Sequence, residues 1–175
     1  MKGSILIVVA GLAASPALAQ SVSEKTGLNS VLGIAPKTAD FVKEAAISDM
    51  FEIQSSQLAQ SKGNDADKAF ASQMIDAHQK TTDELKGLVE GGKVKATLPT
   101  QMDSSHQKML DKLKGLNGAD FDKQYDADQV SGHKDAVSLF ERYGKKGSDP
   151  ALKDWADKTL PTIQHHLEMA QGLKG

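Results

Sequence analysis

Three histidines could act together chemically, because each falls on the apolar stripe of a different predicted helix. His78, His133 and His166 all have apolar neighbours three or four residues away, a spacing that predicts side chains directed into a helical core. Glu52 lies on the stripe of a further helix. One carboxylate and three imidazoles from separate helices would form a ligand set for a divalent metal such as Zn, Cu or Fe.

The same residues have a second interpretation that requires no metal. A histidine on an apolar stripe is typical of a core residue that is hydrogen-bonded to a neighbour. A buried carboxylate also needs a partner, because leaving it unpaired is costly. A structural polar core of Glu52, the three histidines and Tyr125, in which protons are shared, is therefore the alternative. The sequence favours this network over a metal, and both interpretations stay open.

The remaining ionisable residues show no catalytic pattern. Two histidines and four acidic residues are predicted to lie on solvated helix surfaces: His106, His165, Glu44, Asp49, Asp76 and Glu141. The chain has no cysteine, which excludes disulfides, thiolate metal sites and a cysteine nucleophile. It also lacks the Gly-x-Ser-x-Gly motif and a glycine-rich phosphate loop. No catalytic residue is assigned, and we expect a non-enzymatic protein.

The charge balance argues against a nucleic-acid partner. The 175 residues include 21 Lys and Arg against 23 Asp and Glu, for a net charge of −2. The lysine pairs are interleaved with acids and lack the aromatic residues on which bases stack. The expected partners are an unknown envelope protein or a small ligand, with a second copy of the chain as a further candidate.

Helices must position the candidate residues, because almost no stretch alternates like a strand. The predicted helices cover 38–62, 65–90, 101–116, 120–143 and 150–173. Short loops after the first and fourth predict two antiparallel hairpins, and the stretch with the short third helix predicts a long crossover. The expected fold is all-α: a ferritin-like four-helix bundle whose crossover carries a short extra helix.

The N-terminus has the features of a cleavable signal peptide. Lys2 provides a positive start, residues 5–14 are apolar, and Ala17-Leu18-Ala19 matches the small-x-small pattern read by signal peptidase. The predicted organisation is a signal peptide at 1–19, cleaved after Ala19, a flexible leader at 20–36 and a bundle domain at 37–174. The mature protein is expected in the periplasm, without a transmembrane segment.

Several ordered motifs resemble a known bacterial family. They are Phe41-Val42 with Ala45-Ala46, Phe70-Ala71-x-x-Met74 with His78, Leu98-Pro99, Phe121-Asp122-x-x-Tyr125, His133-Lys134-x-Ala136-Val137-x-Leu139-Phe140 and Leu160-Pro161-x-Ile163-x-x-His166-Leu167. The chain resembles the domain of unknown function 4142 family, exported proteins often labelled predicted outer membrane protein. The resemblance implies a ferritin-like bundle and marks the three core histidines as family-type residues. It implies no established activity.

The ferritin-like superfamily more widely binds two metals through Glu-x-x-His motifs. Here Ile75, Val130 and Ile163 stand three residues before the core histidines, where that motif requires a carboxylate. We therefore do not expect di-iron chemistry. The expected function is an exported helical-bundle protein in envelope or stress-related binding, with metal binding or sequestration through the histidine and glutamate cluster as the alternative.

Overall fold

The computed structural model describes residues 28–173, and within this range it contains helices and no strand. The helices are α1 (Leu28–Val31), α2 (Thr38–Lys62), α3 (Asp65–Glu90), α4 (Ser104–Gly115), α5 (Ala119–Lys146) and α6 (Pro150–Gln171). The predicted all-α class is confirmed. The predicted signal peptide at 1–19 and the first part of the leader lie outside the described residues.

Local signals in the sequence explain where most helices begin. Asn64 caps α3, because its side chain accepts hydrogen bonds from the N–H groups of Ala66 and Asp67 at 2.9 and 3.0 Å. Asp103 caps α4 in the same way, so this helix starts at Ser104 rather than at the predicted residue 101. The bounds of α2 and α3 agree with the prediction.

One predicted helix end is wrong, because α5 continues past Gly144 to Lys146. Gly144 is buried where α5 approaches α6, and a Cβ there would overlap the carboxylate of Asp157. This glycine therefore allows close helix packing rather than ending the helix. Gly147 is the actual C-cap, and its N–H donates to the carbonyl of Tyr143.

The four long helices pack as two antiparallel hairpins, α2 with α3 and α5 with α6. A crossover from residue 91 to 118 joins the hairpins and carries α4 against α2 and α5. The hairpins meet along α2–α5 and α3–α6. Of the four pairs of neighbouring long helices, α3–α6 has the least contact. This is the predicted plan of a ferritin-like bundle.

Two apolar clusters fill the two ends of the bundle. The first contains Phe41, stacked on Tyr143 with ring centroids 4.1 Å apart, together with Phe140 and Trp155. The second contains Phe51, Phe70, Met74, Leu110, Phe121 and Tyr125. The buried polar side chains at the middle of the bundle lie between these clusters. Among the described residues, no helix combines the length and apolar character needed to cross a membrane.

Candidate metal centre

The hairpin register brings the three core histidines to the middle of the bundle. His78 lies 13 residues after the start of α3 (78 − 65 = 13), and His133 lies 13 before the end of α5 (146 − 133 = 13). His166 lies 16 residues after the start of α6 (166 − 150 = 16), so it is within one turn of His133. These two residues therefore lie at nearly the same level of the α5–α6 hairpin.

The three imidazoles form a compact buried triad. The centroids of the rings are 5.7 Å apart for His78–His133, 5.6 Å for His78–His166 and 5.5 Å for His133–His166. Their exposed fractions are 6%, 1% and 7%. One nitrogen from each ring lies within 4.8 Å of the other two. We call this group the histidine triad.

Each ring of the histidine triad keeps one buried nitrogen without a hydrogen-bond partner. These atoms are His78 Nε2, His133 Nε2 and His166 Nδ1. The Nδ1–H of His133 donates to the carbonyl of Gln129 at 2.9 Å. A carbonyl oxygen only accepts, so this bond places the proton on Nδ1 and leaves the lone pair of neutral His133 on Nε2. His133 therefore offers a lone pair on Nε2, whereas His78, whose pKa is raised, offers one only after losing a proton.

Asp49 is buried beside the histidine triad, and the prediction that it is solvated is wrong. It lies 13 residues before the end of α2 (62 − 49 = 13), so the antiparallel hairpin sets it level with His78. Its carboxylate accepts hydrogen bonds from His78 Nδ1 at 2.7 Å, from Thr81 at 3.0 and 2.9 Å and from Thr82 at 3.2 Å. A carboxylate on the second nitrogen of a histidine is the arrangement that orients metal-binding imidazoles.

Glu52 is buried near the histidine triad but lies outside the group of nitrogens within 4.8 Å. It is 2% exposed, and its Oε2 has no hydrogen-bond partner. Its charge favours the protonated forms of both His78 and His133, but for His133 burial outweighs it and the net pKa is lowered. Gly132 allows the side chain of Glu52 to approach α5 closely, because a Cβ at this position would lie 3.1 Å from Glu52 Oε1.

Tyr125, the other member of the predicted polar core, lies in the second apolar cluster. Its hydroxyl is 3.0 Å from the hydroxyl of Ser56, and the side chain is fully buried. Burial raises the pKa of Tyr125 well above its ordinary value, and the charge of Glu52 adds to this rise. Tyr125 is therefore a neutral hydrogen-bonding group at neutral pH.

The protonation of the triad is asymmetric. Burial lowers the pKa of His78, but the hydrogen bond and charge of Asp49, together with Glu52, outweigh burial and the net pKa is raised. Burial lowers the pKa of His133, and the charge of His78 adds to this effect. Burial and the charges of the other two histidines lower the pKa of His166 to about 3. Two of the rings are thus held in the neutral form that binds metals.

The residues fit a metal ion in donor type and spacing. A tetrahedral zinc ion, with Zn–N bonds of about 2.0–2.1 Å, sets its ligand nitrogens about 3.3 Å apart. The triad nitrogens lie within 4.8 Å of one another, so a closure of up to about 1.5 Å suffices. Rotation of the imidazole rings provides movement on this scale.

The two remaining histidines lie away from the triad. His165 is exposed, as predicted, and so is Asp76. His106 is half-buried rather than exposed, because its ring packs 5.7 Å from that of Phe51 and its Nδ1 is 2.9 Å from Asp103. Of the other acids predicted to be solvated, Glu44 and Glu141 are partly buried.

The fold and the site define an all-helical bundle with a buried histidine triad at its middle. The chain belongs to the family described as domain of unknown function (DUF4142), whose profile matches residues 23–173. The resemblance inferred from the motifs is thereby confirmed. No curated protein and no solved structure matches the chain. The family description names no activity, so function has to be argued from the site.

Proposed function

We propose that this protein binds one divalent transition-metal ion through His78, His133 and His166. Two observations carry the proposal: each of three buried rings, from three helices, keeps one nitrogen without a hydrogen-bond partner, and one nitrogen of each ring lies within 4.8 Å of the other two. Buried polar atoms in folded proteins are nearly always hydrogen-bonded, so three such atoms in one buried cluster of rings need an explanation. A bound ion would satisfy all three at once.

The surrounding charge supports a cation at this position. Two buried carboxylates, Asp49 and Glu52, lie beside the triad, and burying an unbalanced charge is costly. A divalent ion would balance both. In the metal-free protein the raised pKa of His78 provides one positive charge next to Asp49, so metal binding would displace that proton.

The donor set favours particular metals. Imidazole nitrogens suit Zn, Cu and Fe, and the chain offers no thiolate that would select softer ions. Within this set the affinity order for divalent ions places Cu above Zn and Zn above Fe. Glu52 is the candidate for a fourth ligand, on the condition that its side chain moves towards the triad.

The setting of this activity is part of the proposal. The predicted signal peptide at 1–19 supports an exported, periplasmic protein, and the absence of a catalytic pattern in the sequence supports binding or sequestration rather than catalysis. A role in envelope maintenance or stress tolerance would follow from holding a metal in that compartment. An envelope protein or a second copy of the chain are the candidate partners.

Metal content of the untagged mature protein tests the proposal. Protein purified from periplasm, or loaded with zinc or copper and then dialysed, is expected to retain about one equivalent by elemental analysis, and the His78→Ala/His133→Ala variant to lose it. The matched control is His106→Ala/His165→Ala, which removes two imidazoles outside the triad. Metal below about a tenth of an equivalent in the wild type would refute the metal site and leave the proton-sharing network.

Asp49 allows a finer test of the same site. Asp49→Asn keeps the shape of the side chain but weakens its hold on the Nδ1–H of His78, so zinc affinity is expected to fall by about 10- to 100-fold. Asp76→Asn removes an exposed carboxylate from α3 and serves as the control. Equal affinities of the two variants in a competition titration would contradict the role given to Asp49.

A further inference from the structure

A small cavity adjoins the histidine triad and is lined by residues of all four long helices. Its volume is about 20 Å³, and His78, His166 and Asp49 are among the residues that line it. About 10–15 Å³ suffices to hold one water molecule, so this cavity has room for one ligand of that size. The two histidines each carry a buried nitrogen without a partner, so this is the candidate space for a further ligand of the proposed ion.

Three nitrogen ligands leave one position of a tetrahedral ion open. Glu52 is the competitor for that position, but it does not line the small cavity. It lines a different cleft, of about 370 Å³, which opens between α2 and α5 and is also lined by Ser131 and Gly132. Ser48 and Ala136 line both spaces, so the small cavity borders this cleft as well, but Glu52 lines only the cleft.

The small cavity shares a wall with a much larger cleft between α3 and α6. That cleft has a volume of about 620 Å³, and four residues line both spaces: Ala77, Thr81, Thr159 and Thr162. All four side chains are small. The wall therefore separates the cleft from the cavity by little more than methyl and hydroxyl groups.

The α3–α6 side is also where the bundle is most open. These two helices have the least contact of the four neighbouring pairs, and a hydrogen bond of 2.9 Å from Trp155 Nε1 to Glu84 links them across the cleft. Three lysines line the cleft against two carboxylates, Glu84 and Asp154: Lys80, Lys93 and Lys158. A small anion would therefore meet a slight excess of positive charge in the cleft, and the Asp49 carboxylate where it enters the small cavity.

We infer that the proposed metal ion keeps an open coordination position, and that a small ligand reaches it through the wall of Ala77, Thr81, Thr159 and Thr162. The inference rests on the proposed function and adds the ligand class and its route. The ligand at rest is a water molecule, the size for which the cavity has room, and azide, which is larger, replaces it when the side chains of the wall move. The route leads from the α3–α6 cleft into the cavity beside His78 and His166.

Azide binding to the cobalt-loaded protein tests the inference. Co²⁺ replaces the spectroscopically silent Zn²⁺, and azide is expected to change its visible absorption in the wild type. Thr162→Leu, an exposed position on the wall, is expected to slow azide binding by about tenfold or more without changing the cobalt content. Ser131→Leu places the same side chain at an exposed position of the α2–α5 cleft and is expected to bind azide at the wild-type rate.

A second variant guards against a folding defect in the first. Ala77→Leu narrows the same wall from α3, and slowed azide binding in both variants, with wild-type circular dichroism, would support the route. An absorption spectrum that azide leaves unchanged in a fully loaded protein would overturn the open position, while the metal site itself would stand. Slowing in Ser131→Leu but not in the wall variants would overturn the route. Failure to retain cobalt, zinc or copper would refute the proposed function itself.

Discussion

Replacing His166 with glutamine tests whether a neutral imidazole is held inside the bundle. Burial and the neighbouring histidines lower the pKa of His166 from 6.5 to about 3 in the folded protein. The unfolded chain therefore takes up a proton below about pH 6.5, whereas the folded protein does so only near pH 3. The stability that depends on neutral His166 is complete above the unfolded pKa and is lost as the pH falls through this window.

The size of the effect follows from the same shift. Between about pH 7.5 and about pH 4.5, the metal-free wild type is expected to lose about 2 to 3 kcal/mol of unfolding free energy through His166. His166→Gln carries no titrating group there, so its loss should be smaller by that amount. The comparison uses the difference between the two proteins, because Asp67, whose pKa is raised to about 7, changes stability in the opposite direction over the same window.

Urea unfolding followed by circular dichroism measures this difference at fixed ionic strength, with chelator present. His165→Gln is the matched control, since it removes the exposed neighbouring imidazole, whose charge is the smallest of the causes that lower the pKa of His166, and its pH dependence is expected to stay close to that of the wild type. Equal losses in the wild type and in His166→Gln would refute the burial of a neutral ring at this position.

Three further predictions concern stability away from the triad. Burial and the neighbouring Asp122 and Asp126 raise the pKa of Asp67 to about 7, so its ionisation opposes folding as the pH rises above the unfolded value of 3.8. The stabilisation by Asp67→Asn should therefore be greater at about pH 8 than at about pH 5, by about 1 to 3 kcal/mol in urea unfolding, and a constant difference would contradict this. Gly147→Ala should destabilise the protein by about 1 to 3 kcal/mol, because its Cβ would lie 2.6 Å from both the ring and the carbonyl of Tyr143. Gly87→Ala, at an exposed helical position with no neighbour within 4 Å, should raise the melting temperature by contributing up to about 1 kcal/mol, and a destabilised Gly87→Ala would contradict the assignment of an open helix surface.

The helices could be predicted where local signals agree with packing. Gly63-Asn64 supplies both an end for α2 and a cap for α3, so the bounds of these helices follow from the sequence alone. Gly144 is locally identical to a helix stop, and only the neighbouring helix explains why a glycine is needed inside α5. The local sequence around a glycine does not distinguish these two uses, because the difference lies in the helix that packs against it.

The candidate site, too, could be predicted in part from local sequence and in part only from the packing of the helices. The three histidines were identified because apolar neighbours flank each of them at helical spacing. Asp49 was missed because its charge, rather than its spacing from Ala45 and Ile53, decided its assignment to the surface. Asp49 and His78 are separated from the Gly63-Asn64 turn by the same number of residues. Counting outward from that turn would therefore have paired them.

The buried histidines and carboxylates lie between the two apolar clusters, which pack against them from both ends of the bundle. The ring centroids of Phe70 and His133 are 6.3 Å apart, and Phe140 lines the same small cavity as His166. Leucine at the three positions would remove the desolvation cost of the imidazoles, but it would leave Asp49 buried without its partner His78. A bound ion would instead offset the cost of the whole group, and more so as its free concentration rises above the Kd, since any ligand that binds only the folded state stabilises it. The metal-loaded protein should therefore melt at a higher temperature than the metal-free protein, and the His78→Ala/His133→Ala variant should show no such rise.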